Sequence, residues 1–376
     1  MTGLYLVADD LTGALDSAAP FCAALGPLPV WLGAAHPEGA PDAAVDLDTR
    51  DGDAVAAEAA ARRVLAGLRA AALPFRKIDS RLRGHWAREL AVALREGTLG
   101  PCVLAPAFPH QGRATRAGRV WLRDEAGAWT AEAFDPADTL RALGLRVAHA
   151  SRGAAADGAR ALATHDVVLF DADDDADLDA VVAAVRAEHA TMAPLWCGAG
   201  GLARALARGQ AVAISAPLAP PPAGPTLCIV GTDHAVTQAQ VAFALTRGAA
   251  CRVVGDEDAE APAAIARALA RAAACVLTFE LPEACSADAA ARAIERRLHA
   301  LLPRLPRPGA LVVSGGRTLL ATCRALGAHH LLLDGELSPG VARARLAGGA
   351  WDDVEVVAKS GGFGASAWLA RHLGIA

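Results

Sequence analysis

Residues 3–16 read GLYLVADDLTGALD: a short apolar run, then Asp9 and Asp10, then residues of helical period. The run at 3–8 predicts a buried strand and 12–25 predicts a helix. A strand that is apolar throughout and feeds directly into a helix belongs to a parallel sheet covered on both faces. The pattern recurs on moving outward. Residues 53–72 carry apolar positions at three- and four-residue spacing, a helix, and 102–105, 167–170 and 194–197 read as buried strands. The stretch 215–225, SAPLAPPPAGP, is extended and proline-rich, unsuited to a helix or a central strand. Beyond it the alternation restarts, with strands at 227–230, 275–278, 310–313 and 354–358 and helices at 235–245, 287–302 and 318–326. The expectation is an α/β protein of two α/β domains, 1–215 and 225–376. Each is a mainly parallel sheet flanked by helices, and the Pro-rich linker joins them.

Length and composition agree with that division and exclude several classes. A chain of 376 residues is too long for one ordinary core. A net charge of -5 with no basic patch argues against a general nucleic-acid binder. The longest uncharged run, 209–232, holds Pro217, Pro220, Pro221, Pro222 and Pro225, so it is no membrane helix. The N-terminus lacks a basic region before its apolar run, unlike a signal peptide. Eight cysteines are scattered without a C-x-x-C pair or a zinc spacing. They read as small core residues of a cytoplasmic protein. One imbalance stands out: among 36 basic residues only Lys77 and Lys359 are lysines. Arginine is a planar fork and lysine a compact point charge. Two lysines that persist under such a bias mark positions where the fork does not serve.

Both fall in chemistry-bearing stretches. Asp9 and Asp10 stand at the carboxyl end of the first strand, the edge where open α/β sheets bind ligands. They suit a hydroxyl, a metal or a proton, although a simple capping turn, with Thr12 as the cap, explains the local pattern as well. Residues 77–85, KIDSRLRGH, set Lys77, Arg81 and Arg83 around Asp79, Ser80 and Gly84 at a strand–loop junction. Such a cluster fits a carboxylate or phosphate. Arg50, following another short strand, and Arg113, in the rigid loop PAFPHQGR at 106–113, are further anion-clamp candidates. The bland alternatives are a solvated charged loop and an ordinary Pro/Gly loop. Residues 198–203, GAGGLA, fit the dinucleotide fingerprint, but no acid follows near residue 218, which favours close strand–helix packing. The acidic stretch 171–177 lacks the glycine and glutamate of a calcium loop and reads as a helix start.

In the second half, three loops rich in Gly, Ser or Thr follow strands: VGTDH at 230–234, SGGRT at 314–318 and KSGGFG at 359–364. Thr237 and Gln240 lie on the helix after the first. Glycine lets backbone N–H groups approach phosphates, and a helix N-terminus favours negative charge. Three such loops point to a nucleotide. None is a Walker A loop, since Ala358 and Asp353 stand where its glycines belong.

Taken in order, ADDLTGALD, KIDSRLRGH, PAFPHQGR, the glycine-rich 198–203, VGTDHAVTQAQ, SGGRT and KSGGFG resemble the four-carbon acid sugar kinase family across nearly the whole chain. The resemblance implies a sugar-acid-binding N-terminal domain and an ATP-binding C-terminal domain. It also implies transfer of the γ-phosphoryl group to the terminal hydroxyl of threonate, erythronate or 3-oxo-tetronate between the two. On that reading Arg50, Lys77, Asp79, Ser80, Arg83 and Arg113 bind the acid. Asp10, or failing that Asp9, orients or deprotonates the hydroxyl. Thr232, Ser314, Gly315, Gly316, Thr318, Gly361 and Gly362 hold ATP with Lys359 near its phosphates. Mg²⁺ is expected with ATP, its protein ligands unassigned. The chain departs from the family pattern at Arg317 and in the loop 337–342, which lacks a second proline. Two other readings stay open: a sugar-acid sensor without turnover, and an NAD(P)-dependent oxidoreductase. Expected partners are small molecules, with a homodimer left open.

Overall fold

The computed structural model describes residues 3–33, 42–97, 99–124, 126–189, 193–209, 224–255, 258–271, 274–282 and 285–375. Two compact units divide the chain, Met1–Ser215 and Ala216–Ala376. The expected linker, apart from Gly224 and Pro225, lies outside the described residues.

In the first unit the strands are β1 (Leu4–Ala8), β2 (Leu28–Leu32), β3 (Ala43–Asp46), β4 (Leu73–Lys77), β5 (Cys102–Ala105), β6 (Arg113–Arg116), β7 (Arg119–Arg123), β8 (Trp129–Ala131), β9 (Val147–Ala150), β10 (Val167–Phe170) and β11 (Leu195–Gly198). The main sheet runs β2-β3-β1-β4-β11-β5-β10-β9, all parallel. The chain leaves β1 toward β2 and β3 on one side and returns to β4 on the other. The carboxyl ends of β1, β3 and β4 therefore meet at a switch point, the place where such sheets take ligands. One face of the sheet packs Tyr5, Val7, Val45, Leu104 and Leu169 against helices that contribute Leu68, Trp86 and Leu90. Each fully buried side chain of this size contributes roughly 1.5–3 kcal/mol.

β6, β7 and β8 form a separate antiparallel sheet. Asp171, at the end of β10, fastens it by accepting from the N–H groups of Ala117 and Gly118 at 2.8 and 3.0 Å. The acidic run that follows starts a helix, as expected. Asp174 caps Asp175–Glu188 in a reciprocal arrangement with Asp177.

In the second unit the strands are β12 (Thr226–Val230), β13 (Ala250–Val254), β14 (Ala274–Phe279), β15 (Ala310–Ser314), β16 (His330–Ser338), β17 (Val341–Ala347) and β18 (Glu355–Lys359). They are ordered β13-β14-β12-β15-β18-β17-β16. β13, β14, β12, β15 and β18 are parallel; β17 is antiparallel to both of its neighbours. The chain goes from β12 outward to β13, back to β14, then across to β15. The three glycine loops thus emerge from adjacent strands, β12, β15 and β18.

Four local expectations change. The helix expected over 12–25 is interrupted: Leu11–Ala18 gives way to a 3₁₀ turn at Ala19–Phe21, which holds Pro20, and Cys22–Leu25 is helical again. The helix expected over 53–72 is two, Ala54–Arg63 and Leu65–Ala70, broken at Val64. Residues 337–342 are not a free loop but the turn of the β16–β17 hairpin. The last strand runs one residue further, so Lys359 is its end.

Candidate functional site

The first unit gathers charge at the switch point. Asp9 follows β1 directly and is 2% exposed. Asp10, not Thr12, caps the helix Leu11–Ala18 by accepting from Gly13 N–H at 3.1 Å. The chain after β3 folds back so that Thr49 and Arg50 donate their backbone N–H groups to Asp9 O at 3.0 and 3.2 Å. This places the Arg50 guanidinium over both acids. Its Nε and Nη2 grip the two Asp9 oxygens at 2.9 and 2.7 Å, and Nη2 also reaches Asp10. Burial pushes the Asp9 carboxyl up, but Arg50, helped by Lys77 and Arg76, outweighs it and holds the group below the ordinary carboxylate range.

Lys77 ends β4 with its Nζ 4.0 Å from Asp10 Oδ1. A Cβ at Gly13 would stand 2.3 Å from Asp10 Oδ1 and 2.4 Å from Lys77 Nζ. Glycine there is what lets the amine lie across the helix start. Asp79 is held by Arg83 at 2.8 Å on both oxygens, with Arg50 3.8 Å away. Burial raises its carboxyl, and Arg83 with Arg50 overrides that to drive it well below the usual range. Ser80 is buried beside it. Arg81 turns instead to Glu132 at 2.8 Å.

Arg113 differs from these cations. Among the described residues it donates to the backbone oxygens of Gln111 and Gly112, at 2.8 and 3.3 Å, and its buried Nε has no partner there. Burial, and then the neighbouring Arg81, lower its affinity for its proton. It is the cluster's cation without a carboxylate partner among the described residues.

Beneath the cluster lies a buried relay that the sequence does not announce. Thr49 Oγ1 donates to Glu89 Oε1 at 2.5 Å, and Glu89 Oε2 pairs with Arg76 on β4. Removing one member of such a buried pair costs about 3–5 kcal/mol. Arg76 looks like any strand arginine; the apolar stripe of Trp86–Glu96, which carries Glu89 on its buried side, is the signal available for the pair. The glycine-rich stretch 198–203, the end of β11 and the start of the helix Gly200–Arg208, packs tightly. A Cβ on Gly200 would lie 2.7 Å from the Phe108 ring and one on Gly201 would lie 2.4 Å from Ala107 O.

In the second unit the three loops interlock. A Cβ at Gly231 would lie 2.2 Å from Thr318 Oγ1, and one at Gly361 would lie 2.9 Å from Thr232 Oγ1. Gly315, at φ 109°, donates its N–H to Lys359 O at 3.0 Å and opens the helix Gly316–Leu326. The first turn of that helix carries Gly316 and the buried Thr318, beside Ser314. Gly362 comes near His234, whose ring caps Ala235–Thr246.

Lys359 is the centre of this arrangement. Its Nζ donates to Thr237 Oγ1 at 2.9 Å, Ser360 O at 3.0 Å and Gly361 O at 3.3 Å, and it faces the Trp368 ring at 5.8 Å. Every partner is neutral, and burial lowers the amine to about 8. Thr237 donates in turn to Gly361 O at 2.7 Å. Gln240 holds the loop's far side through the carbonyls of Phe363, Gly364 and Ala365 at 2.9, 2.9 and 3.1 Å. Thr237 and Gln240 therefore join the site as supports. Arg317 donates to Asp288 on the neighbouring helix at 2.6 Å.

The first unit thus assembles acids and cations at strand ends, and the second sets backbone-rich loops around a lysine with no acid partner among the described residues. Comparison with known proteins makes this specific. Residues 4–206 match the model of a sugar-binding N-terminal domain and residues 227–369 that of a nucleotide-binding C-terminal domain. A D-threonate kinase of Bordetella bronchiseptica is 32% identical over 99% of this chain and 97% of its own. One of Cupriavidus necator is 31% identical over 89% and 88%. A crystal structure from Salmonella typhimurium shares the fold with TM-score 0.78 at 22% identity, covering 98% of both chains. The chain belongs to the four-carbon acid sugar kinase family.

Proposed function

We propose that this protein moves the γ-phosphoryl group of ATP to the terminal hydroxyl of a four-carbon acid sugar, with D-threonate, the acid in its relatives' names, as the first substrate to test. The observation that carries the reading is Lys359, a buried amine without an acid partner among the described residues, ringed by backbone loops that suit phosphate oxygens. Arg113 and Lys77 take the sugar's carboxylate, with Arg50, Ser80, Asp79 and Arg83 shaping the pocket around its hydroxyls. Asp10 accepts the hydrogen bond of the attacking hydroxyl. Its proton passes to Asp10 as the oxygen–phosphorus bond forms and the bond from the γ-phosphorus to the bridging oxygen breaks, releasing ADP. Asp9 is the weaker base because Arg50 holds both its oxygens. Catalysis of this kind is positioning and charge neutralisation.

Thr232, Ser314, Gly315, Gly316, Thr318, Gly361 and Gly362 hold the nucleotide. Among the described residues no group of three or more His, Cys, Asp or Glu is poised for a metal. Mg²⁺ would arrive on the phosphates, held by their oxygens and water, and supply charge neutralisation there. Direct transfer requires the two bound ligands to meet. The test is ADP release with Mg-ATP over threonate, erythronate and 3-oxo-tetronate. Release that depends on one of these acids is expected. Binding of an acid without release would establish the sensor reading, and silence from folded protein with every acid would refute the substrate class.

A further inference from the structure

Asp46 is an acid that the proposed chemistry does not use. It ends β3, in register with Ala8 of β1, so its side chain belongs to the same strand edge as Asp9 and Asp10. It is 0% exposed. Its Oδ1 accepts the Asp48 N–H at 2.9 Å, and its Oδ2 has no hydrogen-bond partner among the described residues. The charges that act on it most strongly are Asp10, Asp48 and Asp9, all acids. The bonds of Arg50 go to Asp9 and Asp10, with Asp79 also near, and Lys77 lies by Asp10. On the other side Asp46 pairs with Leu32 of β2, which carries no charge.

A carboxylate shut from water, with no cation paired to it among the described residues and one oxygen unmatched, is the least tolerable form of this side chain. The neutral acid, with its proton on Oδ2, leaves one O–H without an acceptor but carries no charge to desolvate, and that is the smaller cost. Burial, then the neighbouring acids, push the group well above the ordinary carboxylate range, in the same direction.

We propose that Asp46 is held as a neutral carboxylic acid and acts as a positioning residue, letting Asp9 and Asp10 share Arg50 without a third negative charge at the strand edge. This rests on the reading of the edge as the sugar-acid site, but its main test does not need activity. The folded-state value lies above the unfolded one, so this group's contribution is complete below about pH 4 and is lost as pH rises toward the folded value. Asp46→Asn, shaped like the neutral acid but unable to ionise, removes that loss. Denaturant unfolding of wild type and Asp46→Asn at pH 5, 7 and 9 should show the variant gaining on wild type as pH rises. A difference independent of pH overturns the proposal, as does an Asp46→Asn protein that cannot fold. In the unaltered chain, carboxyl ¹³C NMR at pH 7 should show a protonated aspartic acid that disappears in Asp46→Asn; its absence also overturns it. With an active substrate in hand, Asp46→Ala should lower kcat by up to about 100-fold through misplacement of Asp9 and Asp10, and Asp46→Asn should restore most of it. If no acid sugar turns over, the kinase reading fails while the unfolding and NMR results still decide Asp46.

Discussion

Lys77 and Lys359 share burial and a strand-end position, but they occupy opposite electrostatic settings. Lys77 lies among acids, with Asp10 at 4.0 Å and Asp9 within its field. Lys359 has a hydroxyl, two carbonyls and an indole face around it, and no acid partner among the described residues. The first is balanced before any ligand arrives, and its position is set by its neighbours. The second is unbalanced, and on the proposed reading the anion that balances it is the phosphate of a bound nucleotide. One lysine thus organises a site and the other waits for charge.

The largest effect should come from breaking the unbalanced member. Lys359→Met removes the buried charge while keeping much of the stem's packing. We expect turnover to fall by about 10²–10³, yet the unliganded protein to unfold at no lower, and at neutral pH at a higher, denaturant concentration. The sign follows from linkage: with a folded-state value of about 8, below the ordinary lysine value of 10.5, protonation of Lys359 opposes folding, and that penalty fades as pH rises between the two. Phosphate binding reverses the preference. Nucleotide binding near pH 8 should therefore take up a proton, visible in calorimetry as a binding enthalpy that depends on the buffer. Proton-neutral binding, or a variant that loses stability at neutral pH, would remove the contrast between the two lysines.

Lys77→Arg should cost less but still disable the site. The slot over Gly13 admits a single amine, since even a methyl at Gly13 would meet Nζ. A planar fork has to leave it, taking Asp10 or Arg50 along. We expect kcat/KM for the sugar acid to fall by about 10²-fold, with nucleotide affinity unchanged. A shift in nucleotide affinity instead would mean that the two lysines do not serve separate ligands.

How much of this was legible beforehand depends on which physical signal carries each feature. The strands at 102–105 and 167–170 were plain because a central parallel strand is apolar on both faces. The hairpin β16–β17 and the small sheet β6–β8 were not. β17 (Val341–Ala347) and β6 (Arg113–Arg116) interleave arginines with short uncharged residues, β8 is only three residues long, and antiparallel strands with one wetter face carry a weaker signal. In the site, residues beside glycines and at strand ends were readable by type. Asp46, Arg76 and Glu89 were not, because a charged residue in a sequence looks solvated and only the packed fold shows these three to be buried. Thr237 and Gln240 were visible as polar residues on a helix, but their role depends on a loop more than a hundred positions away.

Arg317 gives the smallest effect and sharpens the contrast from the other side. It stands in SGGRT at the start of a helix beside the proposed phosphate loops, and a cation there invites a role like that of Lys359. Its setting argues otherwise. The guanidinium reaches Asp288 at 2.6 Å, and both side chains are about half exposed, 46% and 54%. An exposed arginine already matched by an acid exerts little field on a ligand. Arg317→Ala should therefore leave turnover and nucleotide affinity within about threefold of wild type. A much larger loss of nucleotide affinity would show that Arg317 releases Asp288 to meet the ligand, and Lys359 would then not be the second unit's sole answer to phosphate charge. A gain in turnover would show that Arg317 acts as a brake on the kinase rather than as a ligand group.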